Sequence, residues 1–335
     1  MARIEHLVSV QTTAADSWAI DGVLSGLSLL WGQPGSCKSF VAISMSVSIA
    51  SGRPWLGKHT HQGRVVYVAG EGGSYAVSRR MRAALEEWGV DPVSEPTPID
   101  IVTPGVDLVR GPSEMLELIG DDPPKLIVVD TLSRCFVGDE NKQEFMGGFV
   151  RSLDIMRDCY PNSCQLIIHH SNKADEIRGS TVLLGAVDTS WKLEAIRADD
   201  PGIYRIMKPD KIRERDVEGA YLRMRLERIH CYNTEGEPEY DPYGDWLTTL
   251  VVKPHPQDTQ SARHVQKVGE QLINQFGFAS YLQWRDAVGA GKAEFDAALS
   301  YVLSFPGDWG GIKQETPGHF VFDHGKGLDS EGEVG

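Results

Sequence analysis

Residues Gly32–Phe40 read GQPGSCKSF. A glycine, four residues, a second glycine and then Lys-Ser/Thr is the spacing of a phosphate-binding loop. Its backbone N–H groups point inward at the head of a helix, the lysine reaches the outer phosphates, and the hydroxyl serves Mg2+. Gly32, Lys38 and Ser39 hold these positions, but Cys37 stands where the second glycine belongs. With Gln33, Pro34, Gly35, Ser36 and Phe40 they make a candidate cradle for ATP. Glycine permits close backbone approach, so a small side chain at 37 is expected to fit provided that residue keeps φ negative. The competing reading is a surface turn with a chance Lys-Ser pair.

Four further groups fit the same chemistry. Asp130 ends the apolar run KLIVVD, a Walker-B pattern that would hold Mg2+ together with Ser39. Glu71 follows the run VVYVAG inside a glycine-rich turn, where a carboxylate can orient and deprotonate an attacking water. His169 and His170 end CQLIIHH; on a strand they point to opposite faces, so they are poor joint metal ligands, and one of them could sense a γ-phosphate while the other packs. Lys211 and Arg213, in PDKIRER, project to one side of an extended segment and could stabilise charge on a transferring phosphoryl group, in cis or from an adjacent subunit. Each has an ordinary reading as well: a turn glutamate in water, a satisfied core histidine, a solvated charged hairpin.

The elements that must position these residues alternate. Strands are predicted at 26–32, 63–73, 125–131 and 164–171, with helices at 38–52 and 78–89. Apolar strands alternating with helices imply an α/β fold with a mostly parallel sheet covered by helices. Past residue 200 the text becomes charged and strand-rich up to WLTTLVVKP. The polar stretch HPQDTQSARH then reads as a linker. Three helical segments and a short hairpin follow, with glycines at 289 and 291 in the turn before the third helix, and suggest a winged-helix module. The predicted division is 1–255, a linker at 256–264, a small domain at 265–324 and a disordered tail at 325–335.

The 335 residues suffice for two domains, and 41% hydrophobic with 24% charged residues is an ordinary globular balance. The first 18 residues lack the apolar stretch of a secretory leader, and the apolar runs are too short to span a bilayer; the expected location is cytoplasmic, with no membrane partner. Five scattered cysteines form no CxxC pair, which argues against cysteine-bound zinc and against a disulfide framework. A net charge of −14 confines any nucleic-acid contact to a local basic channel.

Taken in order, GQPGSCKSF, YVAGEGG, LIVVDT, IIHHSNK with IRGSTVLLGAVD, and KIR resemble the motif series of the RecA-like hexameric ATPases of the plasmid RepA helicase type, across about residues 18–255. The run from His169 through Arg178-Gly179-Ser180 to Asp188 is its most specific part. The resemblance implies a RecA-like P-loop core, ATP and Mg2+ as cofactors, and ATP hydrolysis with Glu71, Lys38, His169, His170, Lys211 and Arg213 as catalytic residues. It also implies Lys211 and Arg213 reaching a neighbouring subunit, a ring-shaped homohexamer moving on single-stranded DNA, and a role in phage or mobile-element replication or recombination, with a replication partner for the C-terminal module. Candidate DNA contacts are the loop Arg178–Thr181 and, with less weight, residues 134–145. Two other functions fit the residues: a recombination mediator that binds ATP and DNA without unwinding, and a nucleotide-gated binding protein with little turnover. Cys37 and the C-terminal module depart from the family pattern.

Overall fold

The computed structural model describes residues 18–91, 97–103, 105–196, 202–213, 221–233, 235–276, 278–289 and 291, then 295, 298–299, 302–303, 312–316 and 319–322. The predicted tail at 325–335 lies outside the described residues, as does the N-terminal stretch before Trp18. The chain divides into two compact units, one comprising residues 1–55 and 59–253 and the other 56–58 and 254–335.

In the first unit, β1 (Trp18–Ile20) and β2 (Leu24–Ser25) pair antiparallel ahead of β3 (Leu27–Gly32). Then come α1 (Lys38–Ser51), β4 (Val65–Ala69), α2 (Gly73–Glu87), β5 (Ile99–Val102), α3 (Ser113–Ile119), β6 (Leu126–Asp130), α4 (Gln143–Cys159) and β7 (Cys164–His170). After α5 (Val182–Ala186) the chain continues through β8 (Thr189–Ile196), β9 (Ile203–Ile212), β10 (Leu222–His230) and β11 (Thr248–Pro254). Among the described residues the large sheet has the order β11-β10-β9-β8-β3-β7-β6-β4-β5. The strands from β8 to β5 run parallel, while β9 is antiparallel to both β8 and β10. This is the predicted mostly parallel, helix-covered sheet of a RecA-like fold.

The apolar runs are central strands because both of their faces are covered. β3, β4 and β6 are buried at every position. The pleat sends Leu29, Val66, Val68, Ile127, Val129 and Ile167 to one face, against Met146, Phe149, Leu153 and Met156 of α4 and Met115 of α3. Phe149 is fully buried there, and its truncation to alanine should cost about 3–5 kcal/mol. The alternate residues face α1, whose small residues Ser44, Ser46 and Ser48 are themselves buried. Gly52, at φ 71°, ends α1 in the left-handed conformation that an L-residue resists. At the opposite edge of β3, Asp188 accepts a hydrogen bond from Leu27 N at 2.9 Å and pairs with Arg157 and Arg213.

The second unit holds α6 (Pro256–Phe276), β12 (Ala279–Ser280), α7 (Tyr281–Val288), β13 (Ile312–Thr316) and β14 (His319–Phe322), with the three strands in the antiparallel order β12-β14-β13. The linker expected at 256–264 is instead the first part of α6. Polarity misled the reading: proline is well suited to the first helical position, where its missing N–H would go unpaired anyway, and Gln, Ala and Arg are good helix formers. Ser280 caps α7 by accepting from Gln283 N. Phe295, Ala298, Leu299 and Val302 are helical and buried at i, i+3, i+4 and i+7, around Trp284 and Phe320. Gly269 is required here, since a Cβ on it would lie 2.1 Å from the Trp284 ring. No described helix of either unit is long and apolar enough to cross a membrane.

Candidate active site

The phosphate-type loop leaves the C-terminal end of β3 and enters α1, at the edge of a parallel sheet where ligands characteristically bind. Gln33, Pro34 and Gly35 are exposed, whereas Ser36 and Lys38 are buried. Lys38 Nζ donates to Gly32 O and Gln33 O, both at 2.9 Å, and to Ser36 Oγ at 3.3 Å. Burial pulls the Lys38 ammonium down to about 8, against the opposing pull of Glu71 and Asp130.

Cys37 fits the loop without meeting the condition of a negative φ. It sits at φ 75°, ψ 26°, in the left-handed region, as the N-terminal flanking residue of α1 and with no side-chain cap. A β-carbon there costs about 1–2 kcal/mol. Two contacts hold the loop in place. Arg205, reaching from β9, donates Nε–H to Ser36 O at 2.8 Å and Nη2–H to Cys37 Sγ at 3.4 Å. Gln33 Nε2 donates to Asp175 Oδ1 at 2.9 Å, and Lys192 fixes the other oxygen of Asp175 at 2.6 Å. A cavity of about 370 Å³ lies between the loop and the strands β8 and β9, lined among others by Gly35, Asp175, Glu194 and Arg205.

Asp130 is 1% exposed at the end of β6. Tyr67, fully buried on β4, donates its hydroxyl to Asp130 Oδ2 at 2.6 Å, and the Ser39 hydroxyl lies beside the same carboxylate. Oδ1 is buried with no hydrogen-bond partner. Burial raises the Asp130 carboxyl above its usual range, and the Tyr67 and Ser39 hydroxyls counter that rise. A buried carboxylate oxygen left unpaired beside a hydroxyl is costly in isolation. It is also the hard-oxygen donor set that Mg2+ takes, so the residues fit that cation.

Glu71 stands just past β4 because Gly70 N and Glu71 N both donate to Asp130 O, at 2.6 and 3.2 Å. Gly70 has to be glycine: a Cβ would sit 2.6 Å from Asp130 O and 2.5 Å from the Arg134 Cβ. Glu71 Oε1 accepts from Thr131 Oγ1 at 3.4 Å and lies 3.2 Å from His170 Nε2. The neighbouring histidine points elsewhere, as the pleat requires. His169 is 1% exposed, and burial lowers it to about 4, so it is neutral at pH 7. Its Nε2–H therefore donates to Arg178 O, at 2.7 Å. Phe40 carries the Arg80 guanidinium over its ring at 4.6 Å.

The fold thus gathers Lys38, Ser39, Asp130, Glu71 and His170. His169 instead supports the 178–181 loop, which packs onto the other DNA-contact candidate: Ser180 N donates to Glu140 O at 2.9 Å and Arg178 pairs with Glu140 at 3.2 Å. Lys211 Nζ donates to Leu184 O and Gly185 O at the end of α5, and Arg213 pairs with Asp188 at 3.1 Å. Among the described residues neither makes a hydrogen bond or ion pair to the loop. Sequence reasoning missed Arg205, Tyr67, Asp175 and Lys192. Cross-strand partners of this kind leave no local pattern.

A loop of this kind between a strand and a helix, with a strand-end aspartate across a parallel sheet, defines a P-loop nucleotide-binding domain. The sequence model of the AAA domain family matches residues 5–176, just over half of the chain, and the chain belongs to that family. The match takes in the loop, Glu71, Asp130 and both histidines, and ends before Arg178, Lys211 and Arg213. Among solved structures, the chain is similar to a KaiC-like protein from the hyperthermophilic archaeon Pyrococcus horikoshii OT3, with 16% identity over 70% of this chain and 94% of that one, and a TM-score of 0.44. No curated protein matches the chain.

Proposed function

We propose that the chain is an ATP-driven oligomeric DNA helicase or translocase of the plasmid RepA type, acting in replication or recombination of a phage or mobile element. The observation that carries the hydrolytic part is the grouping of buried Asp130, with its unpaired oxygen, beside Ser39, Lys38 and the Glu71–His170 pair. ATP lies on the loop Gly32–Phe40, with Lys38 turning from its own loop carbonyls to the outer phosphates. Ser39 and Asp130 hold Mg2+, which neutralises phosphate charge. Glu71 accepts a proton from water as the water oxygen attacks the terminal phosphorus and the bond to the ADP oxygen breaks. His170 holds the Glu71 carboxylate in position and senses the phosphate; His169 supports the 178–181 loop from beneath. Lys211 and Arg213 act on a neighbouring subunit's site in a hexameric ring.

The DNA reading rests on the loop at Arg178, whose side chain is 55% exposed, with its guanidinium Nε 3.2 Å from Glu140 Oε2 and its carbonyl held by His169. Backbone-tracking of a single strand by such loops suits an acidic protein with a basic channel. The small second unit, with helices and a three-stranded sheet, would serve as a winged-helix-like module that takes DNA or a replication partner. A second reading, a nucleotide-gated binding protein with little turnover, has its own observation: Cys37 replaces the second loop glycine in a left-handed conformation, and Lys38 is bonded to its own loop carbonyls. Unwinding of forked DNA, and particle size with and without ATP and single-stranded DNA, test the proposal. A discrete hexamer that unwinds supports the motor. A filament or a monomer, with ATP bound but not consumed, overturns it.

A further inference from the structure

Outside the phosphate site, three side chains of metal-ligating type converge in the first unit: Asp21, His59 and His61. The backbone brings them together. Ile20 and Thr60 form an antiparallel bridge, flanked by Asp21 N donating to His59 O and His61 N to Ala19 O, each at 3.0 Å. Side chains alternate across such a pair, so Asp21, His59 and His61 share the face opposite to Ile20 and Thr60. Ile20 and Thr60 are buried, with Thr60 Oγ1 donating to Arg53 O at 2.8 Å, and this turns the other three outward. The triad is therefore set by a pinned strand pair.

Its distances are already close to those of a ligand set. His61 Nε2 lies 2.9 Å from Asp21 Oδ1, His59 Nδ1 lies 3.9 Å from Asp21 Oδ2, and all three donor atoms fall within 4.8 Å of one another. Ligands at about 2.0–2.2 Å from a tetrahedral ion sit roughly 3.3 Å apart. Closing that set takes a shift of up to about 1.5 Å, most of it by the His59 ring, with a slight opening of the Asp21–His61 contact; His59 is 67% exposed and free to move, whereas His61 is 23% exposed. An Asp–His ion pair needs only Asp21 and His61; the second imidazole, edge-on to the first at 4.8 Å, supplies a third ligand on the same face.

We propose that Asp21, His59 and His61 bind one divalent ion of the zinc, cobalt or nickel class. Two imidazoles and one carboxylate suit these borderline ions, where Mg2+ and Ca2+ take oxygen ligands. Three protein ligands on an outward face leave a coordination position for water or an exogenous ligand, the ligand count of an exchangeable site rather than a closed structural one. The ion would tie the end of β1 to the segment that leads into β4.

The test titrates the full chain, free of nucleotide and Mg2+, with Co2+ followed by visible absorption, then with Zn2+ in competition. The expected result is one Co2+ per chain with intensified visible bands, displaced by Zn2+. Binding should weaken at least about tenfold in His59→Gln, in His61→Gln and in Asp21→Asn. His59→Gln alters the most exposed of the three side chains, and an unchanged circular-dichroism spectrum establishes that it is folded. Asp130→Asn should leave the Co2+ spectrum unchanged, separating this site from the phosphate site. No Co2+ uptake, uptake unaffected by His59→Gln and His61→Gln, or bands lost only in Asp130→Asn would overturn the proposal.

Discussion

Replacing Cys37 by glycine tests how this loop tolerates its cysteine. At φ 75° an L-residue carries about 1–2 kcal/mol of steric cost, which glycine removes. Against this, glycine makes the unfolded chain more flexible, costing about 0.4–1 kcal/mol. The thiol contacts that are lost, to Arg205 Nη2 at 3.4 Å and to Gly35 O at 3.7 Å, are long and weak. Cys37→Gly should therefore raise stability by about 0.5–1 kcal/mol, or about 1–4 °C in Tm for a unit of this size. Urea unfolding should show a higher midpoint with an unchanged slope. Cys37→Ala keeps the Cβ and loses only the thiol, so it should lie at or just below the native protein. Cys37→Val adds β-branching in a region that resists it and should be the least stable of the set. A glycine variant less stable than the alanine variant would refute the reasoning and mean that the thiol contacts outweigh the backbone cost.

Three further outcomes follow from the same geometry. Arg205→Ala removes the charged donor to Ser36 O, a bond of a class worth about 1.5–3 kcal/mol, and should raise the KM for ATP about tenfold; Arg205→Lys should not restore it, because a single ammonium cannot span Ser36 O and Cys37 Sγ. ATP affinity should fall as pH rises through about 8, approaching about tenfold per pH unit, because the ammonium of Lys38 is the form that binds phosphate and it is lost there; folding stability should move the other way, rising between about 8 and the ordinary lysine value as the unfolded chain keeps the proton longer, and a titration with a fluorescent nucleotide plus chemical unfolding measures both. Gly26→Ala would put a Cβ 2.2 Å from Asp188 Oδ2 at φ 48°, and disturbing the bond to Leu27 N should cost about 2–4 kcal/mol by urea unfolding.

Lys38, Ser39, Asp130, Glu71 and His170 were legible because each ends or follows a strand whose apolar run declares itself, and parallel strands bring such ends to one edge. The continuous burial of β3, β4 and β6 is why those runs are unmistakable. What the sequence hides is register and reach. Tyr67 meets Asp130 only because Ala69 pairs with Asp130 across β4 and β6. Arg205 meets Ser36 from 169 residues away, through an antiparallel strand added beyond β8. The φ of Cys37 is dictated by the loop path, not by the residue's preference. The start of α6 was hidden because polar residues in a helix and in a linker look alike. The two histidines followed the pleat, one to Glu71 and one to the Arg178 carbonyl, a division that alternation alone could state without saying which was which.

In the proposed mechanism Glu71 works as the base of an ATP site built on Lys38, Ser39 and Asp130. Single-turnover ATP hydrolysis by Glu71→Gln, with nucleotide binding measured on the same sample, tests it most directly. Unchanged binding and a hydrolysis rate lower by about 10²–10⁴ are expected. Hydrolysis by Glu71→Gln at the native rate would contradict it.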